Sequence, residues 1–127
     1  MKRILVVATL AVLASCSKVG DNEFLISGSA EGIENGKMAI LQVQNDMGML
    51  PKDTVRVENG KFELKGTHTE GPEIAFIMVE GVNSGMVPFI LENGEINIAI
   101  DKDTLQKSKI SGTSNNDKFQ KYNDESS

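Results

Sequence analysis

The sequence predicts an all-β protein, an antiparallel β-sandwich or partly open barrel of about eight short strands, followed by the start of a short C-terminal helix. Three observations support this fold class. Apolar and polar residues alternate with a period of two through much of residues 23–112, which is typical of strands with one buried face. No apolar repeat of 3.6 residues there is long enough for a core helix. A Glu-Asn-Gly tripeptide occurs three times, and Asn-Gly is typical of tight turns between strands because both residues tolerate a positive φ.

The first fifteen residues have the features of a secretory signal peptide. Lys2 and Arg3 precede an apolar run over residues 4–14. This run is too short to remain as a membrane-spanning helix, which needs about 20 residues. A positive start, a short apolar middle and small residues before a cleavage site predict that residues 1–15 are removed after export.

The end of this run predicts a lipid anchor. Leu13-Ala14-Ser15-Cys16 resembles the bacterial lipobox, in which a branched apolar residue and two small residues precede the cysteine. Its thiol then accepts a diacylglyceryl group and the new amino group can be acylated, and two or more chains hold a protein stably on a membrane. Ser17 resembles the residue found in lipoproteins sent to the outer membrane of Gram-negative bacteria. We therefore expect a lipid-anchored protein of the cell envelope; the alternative, a buried free Cys16, leaves the charged start unexplained.

The first half of the domain is expected to contain two hairpins. The three predicted turns are centred on Asn35-Gly36, Asn59-Gly60 and Asn93-Gly94. Strands over residues 24–28 and 38–43 are predicted to pair across the first turn. At the second turn, alternation predicts one buried face made by Val55, Val57, Phe62 and Leu64. It predicts a solvated face made by Arg56, Glu63 and Lys65.

The second half supplies the central and last strands. Residues 74–79 are continuously apolar, which predicts a central strand covered on both faces. The third turn is expected to form a hairpin whose second strand is half-buried, through Ile96, Ile98 and Ile100. Pro88 cannot donate a ladder hydrogen bond, so its strand is predicted to lie at an edge or at a bulge. Residues 109–111 are predicted to form a short last strand.

A helix is predicted to begin after Gly112. Residues 113–117 offer several N-cap side chains, and Phe119 and Tyr122 are three positions apart on one helix side. About ten residues of helix are too few for stability in water without packing. We therefore divide the chain into a signal peptide (1–15), a lipidated tether (16–22), a β-sandwich domain (23–112) and the start of a truncated helical linker (113–127).

Composition excludes several classes of function. The 127 residues carry 13 Lys and Arg against 18 Asp and Glu, a formal net charge of −5, and they suffice for one small domain. A pI near 4.9 without a basic cluster argues against nucleic-acid binding. One cysteine and one histidine exclude an internal disulfide, a Cys/His zinc site and a Cys-x-x-Cys redox pair. We expect no catalytic residue, no metal and no cofactor.

Five patterns, taken in order, resemble one family. They are the lipobox, Phe24-x-Ile26-x-Gly28, the stretch from Asp53-Thr54 to Gly60-Lys61-Phe62-x-Leu64-x-Gly66, Pro88-Phe89-Ile90-Leu91-Glu92-x-Gly94, and Ile110-x-Gly112-Thr113-x-x-Asn116. The chain resembles an N-terminal domain of unknown function in lipoproteins of gut-type Gram-negative bacteria, over nearly all of residues 16–122. In that family a helical linker and a thioredoxin-like domain, of the thiol:disulfide interchange or peroxiredoxin-like kind, usually follow. The resemblance implies that redox chemistry belongs to that later domain.

Two small clusters could bind a ligand, and each has a simpler explanation. Asp101 and Asp103 resemble the start of a calcium loop, but Gln106 and Gly112 stand where that loop requires Gly and a bidentate Glu. His68 lies in a polar loop, where we expect an exposed histidine without the partners of a catalytic triad.

Two further groups are weighed in the same way. Five carboxylates lie near turns, where they are simply solvated, although a pair of them could imitate a glycosidase site: Glu31, Glu34, Glu58, Glu92 and Glu95. The segment Met47-Gly48-Met49-Leu50-Pro51 could form an adaptable binding surface. Burial of this loop is the expectation that we favour.

The sequence leaves three functional hypotheses in order. The first is a non-catalytic, membrane-tethered accessory domain of a thioredoxin-like thiol:disulfide interchange lipoprotein, acting in positioning, self-association or contact with a client protein. The alternative is a stand-alone lipoprotein that binds a small molecule or glycan, although five Phe and one Tyr give little material for an aromatic platform. A hydrolase that uses the turn carboxylates comes last.

Overall fold

A computed structural model describes residues 19–82 and 85–126 of the chain. Within them, eight strands precede one C-terminal helix, which confirms the predicted fold class. In chain order the elements are β1 (Glu23–Ser29), β2 (Met38–Asn45), β3 (Gly48–Arg56), β4 (Lys61–Thr67), β5 (Glu73–Val79), β6 (Val87–Leu91), β7 (Gly94–Ala99), a 3₁₀ turn (Leu105–Lys107), β8 (Lys109–Ser111) and α1 (Ser114–Ser126).

The strands form two four-stranded sheets that enclose one core. Sheet A has the order β4-β1-β7-β8, and sheet B has the order β3-β2-β5-β6. Neighbouring strands are antiparallel except for β1 and β7, which are parallel. Ile26 and Ile96 of sheet A and Leu41 and Ile77 of sheet B all belong to the same buried cluster. The architecture is therefore a sandwich.

The Asn59-Gly60 turn forms as predicted, but it does not continue into a hairpin. Asn59 has a φ of 55° and Gly60 a φ of 74°, the backbone conformation for which Asn-Gly is favoured. Glu58 and Lys61 exchange backbone hydrogen bonds of 2.9 and 3.0 Å. This single bridge is the extent of the pairing, because β3 then enters sheet B and β4 enters sheet A.

The other two Asn-Gly turns also carry the chain from one sheet to the other. Asn35-Gly36 connects β1 of sheet A to β2 of sheet B, and Asn93-Gly94 connects β6 of sheet B to β7 of sheet A. The prediction of three hairpins is therefore wrong, although the turns are where the sequence places them. A tight turn reverses the direction of the chain, but it does not determine whether the two strands that it connects pair with each other.

The predicted pairing of residues 24–28 with 38–43 is wrong for the same reason. β1 pairs with β4 and β7, whereas β2 pairs with β3 and β5. The buried and solvated faces around the second turn are nevertheless correct. Val57, Phe62 and Leu64 are buried and Val55 is half-buried, whereas the exposed side chains are those of Arg56, Glu63 and Lys65.

Two phenylalanine-glycine pairs fix the register of β1 against β4. Phe24 lies opposite Gly66, and Gly28 lies opposite Phe62. A Cβ atom on Gly28 would overlap the ring of Phe62, and one on Gly66 would approach the ring of Phe24. Each ring therefore covers the backbone of a glycine on the neighbouring strand, as aromatic residues do where a glycine leaves a gap in a sheet.

Proline residues lie in both edge strands of sheet B. Pro88 is in β6, as predicted, and Pro51 is in β3, opposite a register shift between Leu41 and Gln42. An edge proline withholds a donor from a foreign strand, and a bulge disturbs the regular ladder. Both features protect the sheet from edge-to-edge association.

The two ends of the sandwich carry different connections. One end, here the N-terminal end, holds the start of β1, the loop from His68 to Pro72, the Asn93-Gly94 turn and the tip of the β2–β3 hairpin. Asn35-Gly36 and Asn59-Gly60 lie at the opposite end, where the Asn59 backbone N–H donates to Asn35 Oδ1 at 2.7 Å.

The helix α1 packs beside β8 and β6. Ile110 donates its backbone N–H to Gln120 Oε1 at 2.9 Å, and Lys109 Nζ lies 3.2 Å from Asp124 Oδ1. Hydrogen bonds from Gln120 and Lys109 lower the pKa of Asp124 below its usual range. Phe119 packs against the core, but Tyr122 is 66% exposed, so the predicted pair of aromatic residues does not form one buried stripe.

Candidate functional site

The outer faces of the two sheets differ in polarity. On sheet B, half-buried or exposed apolar side chains form what we call the outer apolar face: Ile40, Ile74, Phe76, Met78 and Ile90. They are neighbours across the sheet, because Ile40 pairs with Met78 and Ile74 pairs with Ile90. Ile74 is 44% exposed. The prediction that residues 74–79 are covered on both faces is therefore wrong for the outer face, although β5 is central as expected.

The outer face of sheet A is mostly polar. Its exposed or half-buried residues include Ser27, Lys61, Glu63, Lys65, Glu95, Asn97, Lys109 and Ser111. A shallow depression of about 320 Å³ lies there, between β1, β7 and β8. Polar strand residues that alternate with a buried face are the ordinary solvated side of a sheet. The contrast with sheet B makes the outer apolar face the main candidate for an interaction surface.

A groove borders this face where the helix lies beside the edge strand β6. It has a volume of about 580 Å³ and is lined by Pro72, Glu73, Ile74, Ile90, Asn115, Lys118 and Phe119. Ile74 and Ile90 form its floor as a strand pair, and Phe119 adds an aromatic ring. Lys118 is its single cationic side chain. An apolar floor with a few polar groups suits the apolar part of a ligand or a partner side chain.

Asn116 fixes the helix beside β6. Its side chain is fully buried, accepts the backbone N–H of Ile90 on Oδ1 at 2.8 Å, and donates from Nδ2 to the carbonyl of Ile90 at 2.9 Å. The same amide group donates to Thr113 Oγ1 at 2.7 Å. Asn116 therefore supplies to the outer edge of β6 the hydrogen bonds that a further strand would have made. The sequence had indicated this residue only as part of a pattern.

The glutamate before the Asn93-Gly94 turn lies next to the groove. Glu92 Oε1 accepts a hydrogen bond from Asn115 Nδ2 at 2.8 Å. Its second oxygen, Oε2, is buried, and it has no hydrogen-bond partner among the residues that the structure describes. The four other carboxylates weighed from the sequence are exposed: Glu31, Glu34, Glu58 and Glu95.

His68 is buried, which corrects the expectation of an exposed loop residue. It is 6% exposed, its Nε2 donates to the carbonyl of Gly71 at 2.9 Å, and its backbone N–H donates to the carbonyl of Asn22 at 2.8 Å. Nδ1 lies 3.8 Å from Glu73 Oε2. His68 therefore ties the chain entering β1 to the loop before β5, a structural role.

Asp101 serves the loop that contains it. Its Oδ1 accepts the backbone N–H groups of Asp103 at 3.1 Å and Thr104 at 3.0 Å, while Lys102 Nζ lies 3.1 Å from Asp103 Oδ1. Such bonds are typical of an Asx turn. Over residues 19–82 and 85–126, no three His, Cys, Asp or Glu side chains are grouped to hold a metal ion.

The segment Met47-Gly48-Met49-Leu50-Pro51 is not buried, contrary to the interpretation that we favoured. Met47 is 93% exposed, and Met49 and Leu50 are 37% and 38% exposed. These residues form the tip and first part of the β2–β3 hairpin. Val43 is the last residue of β2 that pairs with β5, and β2 continues for two more residues. The tip of the hairpin therefore extends beyond β5, and no strand of sheet B covers it.

The predicted lipidation and cleavage residues cannot be placed. Leu13, Ala14, Ser15 and Cys16 lie outside the described residues, and the lipid anchor stays a prediction. No helix in the described part of the chain is both long and apolar enough to cross a membrane.

Comparison with known proteins gives one result. No curated protein and no solved structure matches the chain. A family model described as "Domain of unknown function (DUF4369)" matches residues 24–119, which include all of β1 except its first residue, β2 to β8, and the first six residues of α1. The match covers the two sheets, the outer apolar face and Asn116. This chain is therefore a member of the DUF4369 family.

Proposed function

We propose that the chain is a membrane-tethered accessory domain that performs no catalysis itself and offers the outer apolar face to a protein partner. The single observation that carries this proposal is the difference between the two sheets. The solvated face of a sheet normally carries polar residues, as the outer face of sheet A does. Sheet B instead exposes Ile74 and leaves Phe76, Met78 and Ile90 half-buried, which suits a protein interface.

The resemblance of the sequence patterns to N-terminal domains of thioredoxin-like lipoproteins supports the choice of partner. In that setting the domain positions a redox domain, or its client, at the membrane surface. An apolar sheet face can bind such a partner even if its intrinsic affinity is modest. The reason is that tethering both domains in one protein raises their effective concentration without any new contact. A second copy of the chain is the competing partner.

A substitution at Ile74 tests this face. Ile74→Lys places a charge at the most exposed residue of the proposed interface, and we expect about tenfold weaker association with a thioredoxin-like domain taken from a lipoprotein that carries this N-terminal domain. Ala99→Lys is the matched control, since Ala99 is an exposed strand residue of sheet A. Association is measured by analytical ultracentrifugation of the lipidated chain in detergent, alone and with the redox domain.

The possible results separate the hypotheses. Loss of binding in Ile74→Lys alone supports the proposal. Concentration-dependent association of the chain with itself, lost in the same variant, makes self-association the function of the face. Equal behaviour of the two variants, or no association in the unmodified chain, contradicts the proposal.

A second candidate function is the binding of a small molecule or glycan in the groove beside Phe119. The groove volume of about 580 Å³ is within the usual range for ligand sites, and Asn115 and Lys118 in its lining offer polar groups. Native mass spectrometry of the chain purified from its membrane distinguishes this candidate. A retained small molecule that is lost in Phe119→Ala would favour it over the protein contact.

The membrane tether makes a separate prediction. Labelled fatty acid should enter the unmodified chain and not Cys16→Ser, because the thioether forms on the only thiol in the sequence. The variant should also keep its first fifteen residues and migrate more slowly on a gel. Equal labelling of both chains, or processing to the same size, would remove the basis for the lipid anchor.

A further inference from the structure

The tip of the β2–β3 hairpin exposes apolar side chains where a turn normally exposes polar ones. Met47 is 93% exposed, and Met49 and Leu50 follow it with more than a third of each surface in solvent. The turn itself is well formed, since the Met47 backbone N–H donates to Asn45 Oδ1 at 2.8 Å. The exposure therefore belongs to an ordered turn that extends past its own sheet.

This tip lies at the N-terminal end of the sandwich, where the predicted lipidated tether (16–22) joins β1. β5 begins beside the last paired part of β2, because Val43 pairs with Ala75. Glu73, at the start of β5, faces His68, whose backbone N–H donates to the carbonyl of Asn22 just before β1. The entry to β1 and the hairpin tip are thus joined by one short chain of contacts across the N-terminal end.

The length of the tether limits which end can face the membrane. Seven positions separate Cys16 from Glu23, and an extended chain covers at most about 3.5 Å per residue, or about 25 Å. β1 alone has seven residues and spans about 23 Å. If Cys16 carries the lipid, the opposite end could touch the bilayer only with the tether fully stretched along the whole sandwich.

We infer that the β2–β3 hairpin is a second membrane contact, in which Met47, Met49 and Leu50 enter the boundary between headgroups and acyl chains beside the lipid anchor. This inference rests on the lipid anchoring in the proposed function. Asp46 and Lys52 flank the apolar residues with opposite charges and stay at headgroup level. Without Lys2 and Arg3 of the signal peptide, 11 of the 13 Lys and Arg remain against 18 Asp and Glu. This negative charge opposes anionic lipid, so the contact is with the apolar layer of a zwitterionic surface.

A single-thiol experiment tests the contact. Lipidation converts the sulfur of Cys16, the only cysteine, into a thioether, so Met47→Cys provides the one thiol that an environment-sensitive dye can label. Glu34→Cys, an exposed position at the opposite end, is the matched control. The full lipidated chains are reconstituted into phosphatidylcholine vesicles with nitroxide-labelled acyl chains. We expect the dye at position 47 to shift to the blue and lose about half of its fluorescence, with little change at position 34.

Peroxide oxidation of the unsubstituted chain removes any influence of the dye. Exposed methionine is converted to its sulfoxide, and Met86, 36% exposed at the opposite end, is the internal control. The ratio of Met47 to Met86 oxidation should fall several-fold between a chain that begins at Ser17, without signal peptide or lipid, in buffer and the lipidated chain on vesicles.

Each alternative result has its own meaning. If the lipidated chain does not float with vesicles, the anchor fails and the inference fails with it. If it floats but positions 47 and 34 respond equally, the anchor stands and the hairpin contact is wrong. A blue shift at position 47 that depends on protein concentration without vesicles would show a second copy on the hairpin, which also overturns the inference.

Discussion

Gly28→Ala should lower the free energy of unfolding by about 3 kcal/mol. Gly28 is a buried residue near the end of β1, and the Phe62 ring lies over its backbone, so the added methyl group overlaps the ring. Phe62 is itself 3% exposed and has little room to turn away. Urea unfolding followed by circular dichroism measures the change, since the chain has no tryptophan.

Gly71→Ala is the control for this prediction. Gly71 also lacks a side chain, but no atom lies within 4 Å of the position that its Cβ would take, and its φ is not in the left-handed region. The control should stay within about 0.5 kcal/mol of the unmodified chain. Equal unfolding midpoints for the two variants would show that the ring does not lie over Gly28.

Asn116→Ala should cost about 3 kcal/mol, because it leaves two backbone groups of Ile90 without their hydrogen bonds. The N–H and the carbonyl of Ile90 both bond to the Asn116 amide. Water does not easily replace that side chain, since the site is fully buried. Asn116→Asp should be similarly destabilised, because a carboxylate cannot donate to the Ile90 carbonyl.

The neighbouring residue provides the control. Asn115 differs from Asn116 only in its position on the helix, and its amide group bonds to Glu92 at the exposed side. Asn115→Ala removes one hydrogen bond at the surface, to Glu92 Oε1, and should lower stability by about 1 kcal/mol, well below the loss in Asn116→Ala. Hydrogen exchange at the Ile90 amide gives a second measurement: it should accelerate strongly in Asn116→Ala and not in Asn115→Ala. Unchanged exchange in both would contradict the proposed role of Asn116.

The sequence predicted local features and failed on sheet membership, for a physical reason. Alternation reports which face of a strand is buried, and Ile96, Ile98 and Ile100 are buried as expected. Asn-Gly reports a reversal of direction, and Asn59-Gly60 makes one. Neither pattern contains information on the strand that lies alongside, because hydrogen-bond ladders use backbone groups that every residue shares.

The candidate site was predicted in part. The apolar run of residues 74–79 indicated a central strand, but whether its outer face is covered depends on elements far away in the chain. Burial of His68 likewise depends on Asn22 and Glu73. The burial of a polar residue such as Asn116 cannot be predicted from its neighbours in the sequence. Its spacing from Gly112 in a motif was the only indication of its importance.

The placement of β7 beside β1 has a consequence for the way in which the chain folds. Phe24 and Gly94 are partners although they are 70 positions apart, and β1 lies between β4 and β7 in sheet A. Pairings between distant segments form slowly, because closing the long intervening loop costs entropy before any stabilising contact has formed. β2–β3 and β5–β6 of sheet B, and β7–β8 of sheet A, can pair early as local hairpins, whereas β1 must wait for β4 and β7. Sheet A therefore stays incomplete until β7 has been synthesised, and until then β1 lacks one of its two neighbouring strands.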